Sequence, residues 1–238
     1  MAIRFHRGLF IHDNALEAKE YCYLKSLAEE SNFGEPLVGA GRDLFDAGVK
    51  SIPLLSRDKG EELDIFFLKY IKSNGLWKTF KIHHNTKRCV DSFILKYTPG
   101  KRFGKPLSPH KDCDPKRVLS IIFTINIDTS NGSIILSNRN DGYLHDKQNV
   151  KDSFTFTPKD NSMYCFNGSF VEHQVVGSTK GIRFAFVGFF ETQQNEEDVI
   201  RLWNPSFGEH VCFKCCINYL EKKYLKRHLE RNNCIIHL

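Results

Sequence analysis

The sequence lacks any apolar stretch long enough to cross a bilayer. Its longest apolar run, residues 184–190, is far shorter than the roughly 20 residues that a transmembrane helix needs. Residues 1–20 contain no continuous apolar segment of the kind that marks a secretory signal peptide. Low-complexity segments and internal repeats are missing as well. We therefore expect an intracellular protein, of the cytoplasm or the nucleus, without a membrane partner.

The chain also lacks a strong excess of charge of either sign. The 34 Lys and Arg residues oppose 28 Asp and Glu residues, which gives a formal net charge of +6. That balance is compatible with a nucleic acid or an acidic peptide as partner and requires neither. Hydrophobic residues make up 41% of the 238 positions, enough for a real core, so extensive disorder is excluded.

Three candidate metal ligands occur in two separate stretches of the chain. His110 and Asp112 are two residues apart, so both side chains of an extended segment point the same way and can reach one metal ion. His173 follows in a later stretch with strand character. Two imidazoles and one carboxylate suit non-haem Fe(II) and leave one face of the metal open. Ten residues further, Arg183 can hold a carboxylate through two parallel hydrogen bonds.

Together these residues resemble the Fe(II)- and 2-oxoglutarate-dependent dioxygenases, especially the branch that contains the prolyl hydroxylases. The resemblance covers roughly residues 91–191. Beyond the candidate ligands and Arg183, it includes the segments 97–100, 118–126, 132–136 and 181–183.

The resemblance implies a role for each candidate residue. The three candidate ligands would bind Fe(II), and Arg183 would pair with the far carboxylate of 2-oxoglutarate. Tyr97 and Thr124 would add hydrogen bonds to this co-substrate. O2 would be the second co-substrate, and ascorbate an optional reductant. Asp112 favours hydroxylation, because halogenases of this superfamily lack that carboxylate.

Hydrophobic periodicity predicts helices followed by strands. The 3.6-residue period favours helices over 14–30 and 60–73. Short segments bounded by turn residues predict strands at 91–97, 118–126, 132–137, 153–157, 162–166, 173–176 and 183–191. With the resemblance, the expected fold is α+β: a double-stranded β-helix, or jelly roll, buttressed by N-terminal helices and followed by a small zinc finger. We expect an N-terminal supporting segment over 1–89, the oxygenase domain over 90–192, a linker over 193–209 and the finger over 210–238.

Four candidate zinc ligands lie near the end of the chain: Cys212, Cys215, His228 and Cys234. Their spacing is close to that of a zinc finger, and His237 lies near enough to replace Cys234. Tyr219 and Leu225 stand where the C2H2 finger family keeps its two apolar core residues, so 211–234 resembles a finger of C2HC type. Zinc would supply the stability, on the order of 10 kcal/mol, that so small a segment cannot obtain from burial.

Three functions compete at this point. The overall motif pattern favours a peptidyl hydroxylase of the prolyl type, acting on a protein. The basic helix of the finger and the positive charge favour a nucleic-acid oxygenase, but the nucleic-acid demethylase branch has a second arginine where this chain has Phe189. A non-catalytic binding module on an oxygenase fold is the third, and the intact set of candidate ligands argues against it.

We predict that a chain ending near residue 203 still binds iron and slowly decarboxylates 2-oxoglutarate, because the two sets of metal ligands are separate in sequence. It should lose productive engagement of its macromolecular substrate, measured as product formation. If that substrate is a nucleic acid, binding by the full-length chain should fall more steeply with salt than binding by the shortened one. A shortened chain that cannot bind iron would contradict the prediction.

Overall fold

Two packed antiparallel sheets and a layer of helices make up the part of the chain that the computed structural model describes. That part comprises residues 2–6, 8–33, 49–51, 57–99, 109–112, 117–137, 153–176 and 178–203, with short pieces at 211–212, 217–218, 226 and 230. The elements up to residue 97 are β1 (Ala2–His6), β2 (Leu9–Asp13), α1 (Ala18–Glu29), β3 (Val49–Ser51), α2 (Arg57–Ser73), α3 (Leu76–Thr79) and β4 (Asp91–Tyr97). Those that follow are β5 (Val118–Asn131), β6 (Ile134–Ser137), β7 (Ser153–Phe156), β8 (Ser162–Asn167), β9 (Glu172–Val175), β10 (Ser178–Glu191), α4 (Glu196–Trp203), β11 (Val211–Cys212) and β12 (Ile217–Asn218).

The larger sheet has seven strands in the order β1-β2-β8-β5-β10-β4-β3, and the smaller has three in the order β7-β6-β9. Neighbouring strands run antiparallel in both. Neighbours in the sheet are often far apart in sequence, as β2 and β8 are, which is typical of a jelly roll. The combination of helices with antiparallel sheets confirms the predicted α+β class.

Strand β5 is buried on both faces and divides the interior into two clusters. Its odd-numbered residues, among them Ile121 and Phe123, pack with the helices α1 and α2. Ile122 on the opposite face belongs to a second cluster between the two sheets, to which Leu136 of β6 and Val175 of β9 also contribute. Because side chains alternate along a strand, the even-numbered residues of β5 point into the space between the sheets.

The predicted strands and both predicted helices are present with small differences in their bounds, and β4 has the predicted bounds. Three strands of the larger sheet were missed, because β1, β2 and β3 lie in the segment expected to be a helical support. β1 pairs with β2, β2 pairs with β8 some 150 residues away in sequence, and β3 pairs with β4. Strands of three to five residues are too short to show a clear period-two pattern.

Residues 196–203 fall within the predicted linker and form helix α4. Val199, Leu202 and Trp203 of this helix are buried. Asn195 and Asp198 cap its first turn reciprocally, each side chain accepting a hydrogen bond from the other residue's backbone N–H. The acidic residues 196–198, which suggest a linker in the sequence, therefore form the first turn of a helix, where negative charge is favourable.

Little of the predicted finger lies within the described residues. β11 and β12 form a two-stranded antiparallel pair in which Cys212 is opposite Ile217. Cys215, His228, Cys234 and His237 lie outside the described residues, so the zinc site stays a prediction. None of the helices in the described part of the chain is long and apolar enough to span a membrane.

Gly188 lies where β10 packs closely against α2. A Cβ atom at Gly188 would lie 2.8 Å from the ring of Phe67, which is fully buried. We expect Gly188→Ala to lower the free energy of unfolding by about 1–3 kcal/mol, since overpacking forces side chains or backbone to shift. Urea denaturation would measure this.

Gly60→Ala is the matched control, because Gly60 lies in α2 with nothing within 4 Å of the added carbon. It should be neutral or stabilise by up to about 1 kcal/mol. Equal stabilities of the two variants would show that the β10–α2 contact is loose.

Candidate active site

His110, Asp112 and His173 come together at the β9 edge of the smaller sheet. His110 pairs with His173 of β9 through two backbone hydrogen bonds of 3.0 and 2.8 Å, which form an isolated antiparallel bridge. Asp112 Oδ1 lies 3.9 Å from His110 Nε2 and 3.6 Å from His173 Nε2. One ligand atom from each residue falls within 4.8 Å of the others. The structure thus gathers the predicted triad into a set that can coordinate one metal ion.

His173 presents a nitrogen lone pair to this set. Its Nδ1 lies 3.2 Å from the carbonyl oxygen of Val171, and we assign the ring proton to Nδ1 because a carbonyl can only accept. Burial lowers the pKa of His173; Asp112 opposes this shift and His110 adds to it. The imidazole is therefore neutral at pH 7, with Nε2 available as a ligand, and the Val171 contact fixes its orientation.

Arg183 lies on the inner face of β10, opposite Tyr97 of β4 on one side and Asn126 of β5 on the other. Only 3% of it is exposed. Its Nε donates to Asn126 Oδ1 at 3.0 Å, and Nη2 donates to the carbonyl oxygen of Gly132 at 2.9 Å. Gly132 has a φ of 78°, and a Cβ there would lie 3.2 Å from the guanidinium. Glycine therefore permits both the turn and the close approach.

Two tyrosines flank the guanidinium. Burial raises the pKa of Tyr97 to about 12, with Arg183 opposing the shift, so the phenol stays neutral and able to donate. Burial likewise raises the pKa of Tyr164 above its ordinary value. Burial lowers the pKa of Arg183, and the two tyrosines oppose that change. The structure thus brings Tyr97 and Arg183 together at buried positions on neighbouring strands.

Thr124 has a different environment. Its hydroxyl donates to the carbonyl oxygen of Lys159 at 2.9 Å and contacts Ser162 Oγ at 2.8 Å. A hydroxyl has one proton to donate, and Thr124 donates it to the segment between β7 and β8. The predicted contact of Thr124 with a co-substrate stays a prediction.

Sequence reasoning missed Ser120 and Asn126, which contact the site from β5. Ser120 donates a hydrogen bond to Asp112, and Asn126 orients Arg183. A signal was present, since both, like Thr124, are even-numbered polar residues that alternate with the apolar odd-numbered residues of 119–127. Buried polar positions at period two mark the face of a strand that carries function.

Fold comparison identifies the class to which this architecture belongs. The described chain has the fold of the 2-oxoglutarate–Fe(II) oxygenases, which confirms the predicted jelly roll. No protein-family model matches the chain, and no curated protein matches it by sequence.

Two solved structures illustrate the likeness. An oxidoreductase of the 2OG-Fe(II) oxygenase family from Burkholderia pseudomallei aligns with a TM-score of 0.52 and 12% identity, over 79% of this chain and 89% of that one. A prolyl hydroxylase from Trichoplax adhaerens, in complex with a hypoxia inducible factor oxygen degradation domain peptide fragment, aligns with a TM-score of 0.51 and 16% identity, over 82% and 87%. At such identities the likeness concerns the fold alone.

The contact between Asn126 and Arg183 generates a prediction about stability. Asn126→Ala removes a neutral acceptor from a buried cationic donor, which should cost about 1–3 kcal/mol of unfolding free energy. Asn85→Ala, at an exposed position, should change the stability by less than about 0.5 kcal/mol. Urea denaturation of both variants compares the two. Equal stabilities would mean that water replaces the amide oxygen without loss.

Proposed function

We propose that this protein is an Fe(II)- and 2-oxoglutarate-dependent dioxygenase that hydroxylates a residue of a protein, of the prolyl type. The observation that carries the proposal is the convergence of His110, Asp112 and His173, whose ligand atoms lie within 4.8 Å of one another. The three residues come from segments some sixty residues apart in sequence. That they meet within a fold used by oxygenases is the strongest support for a metal centre.

The chemistry of the donor atoms fits Fe(II). Two imidazole nitrogens and one carboxylate oxygen are the set that non-haem iron takes on one face, with the opposite face open. The neutral state of His173 supports this, because a protonated imidazole cannot bind a metal. Iron bound there would supply the activation of O2, coupled to the decarboxylation of 2-oxoglutarate to succinate and CO2.

Arg183 would bind the C5 carboxylate of 2-oxoglutarate. Its planar guanidinium can donate two parallel hydrogen bonds to a carboxylate, and Asn126 and Gly132 hold it in one orientation. Ion pairing is stronger in a buried pocket than in water. The neutral phenol of Tyr97, on the neighbouring strand, would donate a further hydrogen bond to the same carboxylate.

A protein substrate is favoured over a nucleic acid by Phe189. This residue stands where the nucleic-acid demethylase branch has a second arginine, and it packs edge-on against Phe93 with ring centroids 5.7 Å apart. A charge at this position would be placed in an apolar cluster. The predicted finger, over 210–238, would recruit the substrate to the oxygenase domain over 90–192.

The experiment that tests the proposal measures succinate formation from 2-oxoglutarate with Fe(II) and O2. Mass spectrometry of proline-containing peptides and of oligonucleotides would then detect the gain of one oxygen atom. We expect oxidised peptide, and none from His110→Ala, which loses a metal ligand. His84→Ala, at an exposed histidine, should retain wild-type turnover. Wild-type turnover in His110→Ala would refute the metal centre, and oxidation of oligonucleotides alone would refute the substrate class.

The role of Arg183 gives a second prediction. Arg183→Lys keeps the positive charge but loses the paired donors, so 2-oxoglutarate should bind about 10–100-fold more weakly. Arg183→Ala should weaken binding further, and Arg88→Lys, at an exposed position, should not. Titration calorimetry gives the dissociation constants. Unchanged affinity in Arg183→Ala would mean that another basic residue anchors the co-substrate.

A further inference from the structure

The two oxygen atoms of the Asp112 carboxylate have different neighbours. Oδ1 faces the imidazoles, 3.6 Å from His173 Nε2 and 3.9 Å from His110 Nε2. Oδ2 accepts a hydrogen bond of 2.5 Å from Ser120 Oγ. One oxygen is thus directed to the candidate metal position, and strand β5 holds the other.

Ser120 is a buried residue on the inner face of β5. It is 1% exposed, and its hydroxyl lies beside Gly168 in the turn that joins β8 to β9. A buried hydroxyl is destabilising unless it is hydrogen-bonded. The carboxylate of Asp112 satisfies it, and a hydrogen bond to a charged acceptor is stronger than one between neutral groups.

Gly168, in the turn between β8 and β9, leaves the space in which these two side chains meet. Its carbonyl oxygen accepts the backbone N–H of Asp112 at 2.9 Å, which brings the two segments together. A Cβ atom at Gly168 would lie 2.0 Å from Asp112 Oδ2 and 2.2 Å from Ser120 Oγ. Any larger residue would therefore displace the hydrogen bond. Gly168 is absent from the residues with positive φ, so its role is one of space.

We propose that Ser120 is a positioning residue that, in the space left by Gly168, holds Asp112 as a metal ligand through Oδ1 alone. The inference rests on the proposed function, since it takes Asp112 as a ligand of the iron. The last torsion of an aspartate side chain is broad, so a free carboxylate can turn and offer both oxygens to a metal. Binding through both carboxylate oxygens of Asp112 would occupy a coordination position on the metal that the co-substrates need. The Ser120 hydrogen bond removes that freedom.

Titration of the metal-free, full-length protein with Mn(II) tests the inference without turnover. The electron paramagnetic resonance signal of unbound Mn(II) reports the free metal. Mn(II) favours oxygen and nitrogen ligands over thiolates, so the predicted Cys-rich site does not compete. We expect Ser120→Ala to bind Mn(II) about 10–100-fold more weakly than the wild type, as for other groups that orient a ligand. Gly168→Ala should show a similar loss although it removes no polar group.

Ser92→Ala is the matched control. Ser92 of β4 donates to Asp64 Oδ1 of α2 at 2.7 Å, so this variant also deletes a hydrogen bond from serine to aspartate, away from the metal triad. It should lower the urea midpoint about as much as Ser120→Ala while keeping wild-type Mn(II) affinity. That split between stability and metal affinity separates positioning from a general structural role.

Two outcomes would overturn the inference, and they differ. If Ser120→Ala binds Mn(II) as tightly as the wild type while His110→Ala does not bind it, the metal centre stands and the role of Ser120 is refuted. If the wild type binds Mn(II) no better than His110→Ala, the metal centre itself is refuted and the inference fails with it.

Discussion

The burial of β5 on both faces is the constraint on which the site depends. Helices α1 and α2 cover one face, and the smaller sheet covers the other. Because side chains alternate strictly along a strand, the apolar residues Ile121 and Phe123 fix the strand against the helices. The same packing directs Ser120 and Asn126 towards the opposite face. A shift of one residue in the register of β5 would turn the apolar residues towards the site and the site residues towards the helices. The same strand register therefore sets both the core packing and the site geometry.

The candidate site combines the neutral, buried imidazole of His173 with the buried positive charge of Arg183. His173 is kept neutral by burial, which suits coordination. Arg183 is buried among two tyrosines, an amide and a carbonyl. Burying a guanidinium is costly unless partners surround it, and these partners hold it in one orientation. An anionic co-substrate entering this pocket would meet a donor group that is already ordered, so little conformational entropy would be lost on binding.

Helix α4 ties the end of the oxygenase fold back to its beginning. The N–H of Gly8 donates to the carbonyl oxygen of Leu202 at 2.6 Å, and Lys81 forms a 2.7 Å ion pair with Asp198. Leu202 and Trp203 are buried. The chain therefore reaches residue 203 as a packed helix, and a C-terminal finger would begin from this fixed point.

Local patterns in the sequence were sufficient for helices α1 and α2 and for most strands, and they singled out the three candidate ligands that the fold brings together. Period-two and period-3.6 hydrophobicity depends on neighbouring residues, so it can be recognised without the fold. Tertiary structure alone decided the rest. β2 joins β8, a strand some 150 residues distant, α4 is stabilised by the core it covers, and Thr124 is held by the turn before β8. Ser120 meets Asp112 beside Gly168 because the fold brings the three residues together, and the sequence alone does not show which partner a polar residue of β5 contacts.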